Sequence, residues 1–227
     1  MITAVIFDFD GTLAHLTIDF GLMKRRVAAL AEAFLGRAPE ENGAPVLEWL
    51  DELAAQVEEY EGRDMALEFH SRARLVINAT ELDAARQGGL FDFTLPLLGD
   101  LAARGVGLGV ITRNSTAAVR TVFPDIARYC GAFVAREDAR AVKPDPEHVF
   151  QALEILQRPA PQALVVGDHG MDIVAGKAAG CFTAGVLSGN MQAPALESFH
   201  PDYLEQDAAV LMRLLAGQGM LPRAGQG

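Results

Sequence analysis

The chain has 227 residues, half of them hydrophobic and 22% charged, enough to bury a substantial core in one or two domains. Its formal net charge of −11 disfavours nucleic acid or an anionic membrane as a partner, because no broad basic face offsets phosphate repulsion; a small phosphorylated ligand needs only a few local cations. No apolar stretch is long enough to span a bilayer, Met1-Ile2-Thr3 lacks the basic start of a signal peptide, and Cys130 and Cys181 suit neither a disulfide framework nor zinc spacing, so core thiols in a reducing cytoplasm are expected.

In chain order, the apolar run over residues 2–7 predicts a buried β-strand. It ends in Asp8-Phe9-Asp10-Gly11-Thr12. Two carboxylates two residues apart, backed by a glycine, stand where the strand should stop, and open α/β sheets bind ligands at the carboxyl ends of strands. From about 21 to 87 the pattern is helical. Leu22, Met23, Val27, Leu30 and Phe34 form one stripe, Val46, Trp49, Leu50, Leu53, Val57 and Tyr60 a second, and Met65, Phe69, Ala73, Val76 and Ile77 a third. Gly36 with Pro39 and Gly43 with Pro45 separate the first two helices, and Gly62 is a stop for the second. Residues 15–90 are therefore expected to form an all-helical cap, inserted at the strand end that carries Asp8 and Asp10 and placed to cover it like a lid. Within it Lys24-Arg25-Arg26 reads as a solvated helix face, and Arg72 and Arg74 as candidates for a substrate carboxylate.

The remainder alternates. A helix over 97–104 ends at Gly105, a strand follows over 106–111, and a helix starts near Ser115. A short strand at Phe133-Val134 precedes a helix over 146–157, with Asp145 as N-cap and Pro146 in the first turn. A strand over 164–166, a helix over 173–179 and a strand over 181–187 complete the series. Such alternation predicts an α/β core of residues 1–14 and 91–227, a doubly wound, Rossmann-like parallel sheet covered by helices on both faces. The stretch from Gly217 to Gly227 reads as a frayed tail.

Polar residues fall just after the predicted strands: Asp8 and Asp10, then Thr112-Arg113-Asn114, and Gly167-Asp168-His169-Gly170-Met171-Asp172. Lys143-Pro144-Asp145 precedes the capped helix. In a parallel sheet these ends point the same way and can converge. Carboxylate oxygens suit a hard cation such as Mg²⁺.

Asp8-x-Asp10-Gly11-Thr12, Thr112, Lys143 and Gly167-Asp168-x-x-x-Asp172 match in order the four motifs of the haloacid dehalogenase superfamily of phosphohydrolases, which this chain resembles in the branch with a helical cap after the first strand. The resemblance implies a Mg²⁺-dependent phosphatase for a small phosphorylated metabolite, similar to phosphoglycolate phosphatases. It implies Asp8 as the nucleophile that becomes an aspartyl phosphate, and Asp10 as the acid and base. Mg²⁺ would be held by Asp8, the Asp10 carbonyl and Asp168, with Asp172 orienting bound water or Lys143. Lys143 and Thr112, with Arg113 and backbone N–H groups around Asn114, would hold the phosphoryl group, and Gly11 would allow a close backbone turn there. Asp10 favours phosphoryl transfer over carbon–halogen cleavage, since members with the latter chemistry lack it. His169 stands where many members have a small hydroxyl residue.

Other readings stand beside these. Asp172 could stabilise only the first turn of its helix, and Arg113 could pair with a surface carboxylate. His15, His70, His148 and His200 read as scattered, with no role in the site. A sugar-phosphate mutase would use the same Asp8 and Asp10, and a non-catalytic phosphometabolite-binding protein would keep the fold but not need Asp10. A monomer or a homodimer fits equally.

Overall fold

The computed structural model describes residues 1–225; Gln226 and Gly227, the end of the tail expected to fray, lie outside the described residues. Two short strands, β1 (Ala4–Phe7) and β2 (Ala14–His15), precede three helices, α1 (Phe20–Leu35), α2 (Val46–Glu61) and α3 (Arg63–Ala85). Then come β3 (Gly89–Leu90), α4 (Thr94–Ala103), β4 (Gly107–Ile111), α5 (Thr116–Val122), α6 (Ile126–Tyr129), β5 (Ala132–Val134) and α7 (Glu147–Leu156). The chain continues through β6 (Ala163–Gly167), α8 (Gly170–Ala178), β7 (Phe182–Val186), α9 (Ala193–Glu197), β8 (Tyr203–Glu205) and α10 (Ala208–Gly217). The described residues divide into two compact units, 1–16 with 88–225, and Thr17–Gln87.

The first unit is an α/β fold built on a six-stranded sheet of order β5-β4-β1-β6-β7-β8, parallel at every pairing. The strand that opens the chain is thus central, with β4 on one side and β6 on the other. All four residues of β1 are buried, which is why it reads as an unbroken apolar run rather than an alternation. Ala4 and Ile6 pack with Val149, Ala152 and Leu153 of α7 and Ala175 of α8. Val5 and Phe7 therefore point to the other face of the sheet. The chain order passes from β1 out to β5, then returns across β1 to β6. This makes the ends of β4, β1 and β6 the crevice where such sheets take ligands.

The second unit, the helical insertion, packs α1, α2 and α3 around Met23, Val27, Phe34, Trp49, Leu50, Leu53, Val57, Phe69, Ala73 and Ile77. Gly36 closes α1 in the left-handed region at φ 67°, and Gly62, at φ 90°, separates α2 from α3, as their positions in the sequence suggest. Tyr60 and Met65, expected in the stripes, are instead exposed, because they flank that break and turn off the buried face. Lys24 is not simply solvated: it pairs with Glu41 at 3.1 Å and lies over the Trp49 ring. Arg26 donates to Thr80 Oγ1 at 3.1 Å and so ties α1 to α3.

Other differences concern short or terminal elements. The β2–β3 ribbon, α6, α9, β8 and α10 have no counterpart in the expected series. The stretch expected to fray is anchored as far as Leu221, which is buried, and the Met220 carbonyl accepts from Ile2 N–H at 2.8 Å. Asp145 caps one residue further out than expected: its Oδ1 accepts from Glu147 N–H at 2.8 Å, with Pro146 immediately before α7. No helix among the described residues is long and apolar enough to cross a membrane.

Candidate active site

Strand register gathers the polar clusters. Phe7 is level with Val110 of β4 and with Val166 of β6, so Asp8, Thr112 and Asp168 all emerge within a residue or two of one line across the sheet. Asp8 N–H donates to the Val166 carbonyl at 2.8 Å, extending β1 to the residue that carries the carboxylate. Lys143, buried in the loop before α7, reaches this line. Its Nζ lies 2.7 Å from Asp8 Oδ1 and 2.5 Å from Asp172 Oδ1. Carboxylate oxygens of Asp8, Asp168 and Asp172 all lie within 4.8 Å of one another.

Three carboxylates around one ammonium leave an excess of negative charge in a buried place. Burial raises the Asp8 pKa above the usual carboxylate range, with Lys143 opposing and Asp172 adding to the rise. Burial and the charges of Asp8 and Asp172 push Asp168 up to about 8. Burial also works against the charge of Lys143, but Asp172 and Asp8 more than offset it and hold its pKa above the ordinary value. A donor set of hard oxygens that is short of positive charge fits Mg²⁺.

The acidic residues are seated against glycines. A Cβ at Gly11, where φ is +80°, would come 2.5 Å from Asp168 Cγ, and one at Gly189 would overlap Asp168 Oδ2. A Cβ at Gly167 would overlap Asp172. Asp168 Oδ2 accepts from Asn190 N–H at 3.0 Å, and Ser188 Oγ donates to the Gly11 carbonyl at 2.7 Å. The loop Ser188-Gly189-Asn190 is thus part of the site although the sequence reading passed over it. It is a polar cluster directly after an apolar strand, the same signal that marks the others. Gly189→Ala should cut turnover on the order of 10²-fold and weaken Mg²⁺ dependence by displacing Asp168. Gly99→Ala, in α4 with nothing near its Cβ, should leave turnover unchanged and raise stability by about 0.5–1 kcal/mol. Steady-state kinetics and thermal melts check both, and unchanged Mg²⁺ dependence at Gly189→Ala would contradict the seating.

The remaining candidates are placed as follows. Asp172 serves two neighbours: Oδ1 faces Lys143, and Oδ2 accepts from His169 N–H at 3.1 Å. His169 Nδ1 in turn accepts from Met171 N–H at 3.2 Å, so the imidazole caps α8 as a small hydroxyl could. Thr112 Oγ1 donates to Asn114 Oδ1 at 2.9 Å and accepts from Asn114 N–H at 3.1 Å. The Asp10 carboxylate accepts from Leu16 N–H at 2.7 Å, outside the carboxylate cluster. The Arg113 guanidinium donates to the Lys143 carbonyl and to Met171 Sδ, both at 2.9 Å. Arg72 pairs with Glu68 along α3 and lies over Phe34.

Comparison with known proteins decides the family. Haloacid dehalogenase-like hydrolases match over residues 2–180, most of the chain. The chain belongs to the haloacid dehalogenase-like hydrolase family. It is 31% identical over 208 residues to a phosphoglycolate phosphatase of Yersinia pseudotuberculosis serotype I (strain IP32953), covering 88% of each chain. It is 31% identical over 233 residues to a phosphoglycolate phosphatase of Escherichia coli (strain K12), covering 94% of this chain and 92% of that one. A haloacid dehalogenase-like hydrolase from Bacteroides fragilis has the same fold, with TM-score 0.67 and 23% identity over 93% of this chain and all of that one. This haloacid dehalogenase-like hydrolase combines the α/β core with three helices, α1 to α3, inserted after β2.

Proposed function

We propose that the chain is a Mg²⁺-dependent phosphatase that hydrolyses a small phosphomonoester through an aspartyl phosphate on Asp8, with phosphoglycolate or a close analogue as substrate. The observation that carries this reading is the buried Lys143 ammonium, 2.7 Å from Asp8 in a cluster of three carboxylates. A carboxylate and a phosphate dianion repel. At 4 Å a unit pair is worth roughly 4 kcal/mol at an effective dielectric of 20, so a site that joins them must supply positive charge. Lys143 supplies one such charge and keeps one Asp8 oxygen fixed. Asp8, the Asp10 carbonyl and Asp168 would hold Mg²⁺, which would supply the remaining charge neutralisation.

The residues then divide the work. A carboxylate oxygen of Asp8 forms a bond to phosphorus as the ester P–O bond breaks, and the Asp10 carboxyl gives its proton to the departing oxygen. Water next attacks the phosphoaspartate, Asp10 takes its proton, and the P–O bond to Asp8 breaks to return the carboxylate and release phosphate. Thr112 Oγ1 and the backbone N–H groups around Asn114 bind the phosphoryl oxygens. Arg113 acts indirectly in this scheme, because its guanidinium holds the Lys143 carbonyl.

A phosphate-release screen across small phosphoesters tests the reading; turnover should peak on two- or three-carbon acid phosphates, and absence of release from every ester would refute it. The cation can be tested separately. With Asp168 raised to about 8 from 3.8, the native state binds more protons than the unfolded chain between those values, so this group's contribution to stability falls as pH rises. From pH 6.5 to 8 the metal-free protein should lose melting temperature, and Mg²⁺ should restore it, more at pH 8 than at pH 6.5. Equal shifts at both pH values would contradict the site.

A further inference from the structure

We propose that His148 is a positioning residue for the phosphatase reaction, a single imidazole that ties the backbone of Thr112 to the backbone of Lys143. His148 lies in the first turn of α7, fully buried, and both ring nitrogens are engaged. Nδ1 lies 3.3 Å from Lys143 N and accepts its N–H. Nε2 lies 3.0 Å from the Val134 carbonyl and must therefore donate. That same carbonyl takes Thr112 N–H at 3.1 Å. A continuous chain of hydrogen bonds thus runs from Thr112 N–H through the Val134 carbonyl and the imidazole to Lys143 N–H.

The arrangement specifies one state of the ring. A backbone N–H at Nδ1 and a carbonyl at Nε2 are compatible only with the neutral Nε2–H tautomer. Burial, then the nearby Lys143 charge, push the His148 pKa down to about 4, so the ring keeps this state under ordinary conditions. An apolar side chain of the same size would fill the space. It would leave Lys143 N–H buried without its partner, at the one residue whose ammonium has to meet both Asp8 and the phosphoryl group. The Lys143 carbonyl is held separately by Arg113, and the Arg113 carbonyl by Arg136 Nη1 at 2.7 Å. Thr112 and Lys143 lie 31 residues apart in the sequence, yet a phosphoryl group needs them fixed to a fraction of an ångström. His148 links the end of β5 to the loop before α7 and so fixes their separation. Neither ring nitrogen is placed to contact substrate in this scheme, so the histidine acts through its two neighbours.

The inference rests on the phosphatase reading for the roles of Thr112 and Lys143, and the test separates the two. Wild-type protein, His148→Leu and His148→Asn are assayed with p-nitrophenyl phosphate, with rates referred to folded protein measured by circular dichroism. Absence of wild-type phosphate release would fail the phosphatase reading. If wild type is active, His148→Leu should lose about 10- to 100-fold in kcat/KM, with weaker inhibition by inorganic phosphate. His148→Asn, whose Oδ1 can still accept Lys143 N–H, should recover part of that loss. A His148→Leu variant within twofold of wild type, or equal losses in the two variants, would overturn the tie. Should both variants fail to fold, the ¹⁵N spectrum of wild-type His148 at pH 7 decides: an Nε2–H ring supports the proposal, and an Nδ1–H or doubly protonated ring refutes it.

Discussion

Asp8→Asn should abolish Mg²⁺-dependent hydrolysis of p-nitrophenyl phosphate, by a factor on the order of 10⁴ or more, while leaving the fold intact. The proposed nucleophile cannot be substituted by a neighbour, since Asp168 and Asp172 are held by Asn190, Lys143 and the start of α8. An amide is a poor nucleophile but has nearly the same shape, and the residues around Asp8 make no demand on its volume that Asn fails to meet. The substitution also removes one of three clustered negative charges, while Lys143 keeps Asp172 as a partner. The melting temperature of the metal-free variant should therefore equal or exceed that of the parent, most clearly at pH 8. Loss of activity with loss of fold would not bear on the assignment, so far-UV circular dichroism accompanies the assay. Retained turnover in a folded variant would overturn the role of Asp8.

Lys143→Met should have the largest effect on stability. The lysine is the ammonium that faces both Asp8 and Asp172 in a fully buried place. Removing one partner of a buried pair leaves uncompensated charge, at about 3–5 kcal/mol. The sign of its pH dependence follows from the carboxylates. Without the ammonium, whose charge and hydrogen bond favour its ionised form, Asp8 ionises with more difficulty in the folded state, so the native protein takes up a proton and the penalty shrinks as pH falls. Chemical denaturation at pH 8 and pH 5 should show a loss at the higher pH at least twice that at the lower, and Mg²⁺ should recover part of it at pH 8. Lys143→Arg should not restore turnover, because the planar guanidinium is too large for a position that touches two carboxylates within 2.7 Å. A uniform loss across pH would mean that Lys143 stabilises through packing alone.

Asp8, Thr112 and Asp168 of the candidate site were legible because each follows a strand and carries chemistry that strands otherwise avoid. Asp8 and Asp168 are acids at the ends of fully buried apolar runs, and such a pattern has few structural causes. What the sequence did not expose were contacts made by ordinary-looking residues. His148 lies on a helix whose other inward positions are Val149, Ala152 and Leu153, so nothing in its neighbourhood distinguishes a tie from a core filler. Only the carbonyl of Val134 and the N–H of Lys143, brought together by folding, give the ring its partners. Gly189 is similar, since one glycine after a strand is usually a turn, and its need for no side chain appears only against Asp168. Among the elements, β8 is a three-residue, half-buried edge strand and α9 is five residues long, both below the length at which periodicity speaks. The last helix, α10, was within reach: Asp207 Oδ1 caps it on Val210 N–H at 2.7 Å, and Leu211, Met212 and Leu215 form its buried stripe.

The place of β1 at the middle of the sheet has a consequence for how the protein is made. Its neighbours, β4 and β6, lie about 100 and 160 residues downstream. During synthesis the first-made strand has no partner until β4 is complete at residue 111, and its other edge stays open until β6 is complete at residue 167. Closing so distant a pairing is entropically slow. The proposed nucleophile can therefore reach its lysine only late in folding, and a nascent chain halted before residue 160 should be inert and prone to chaperone capture.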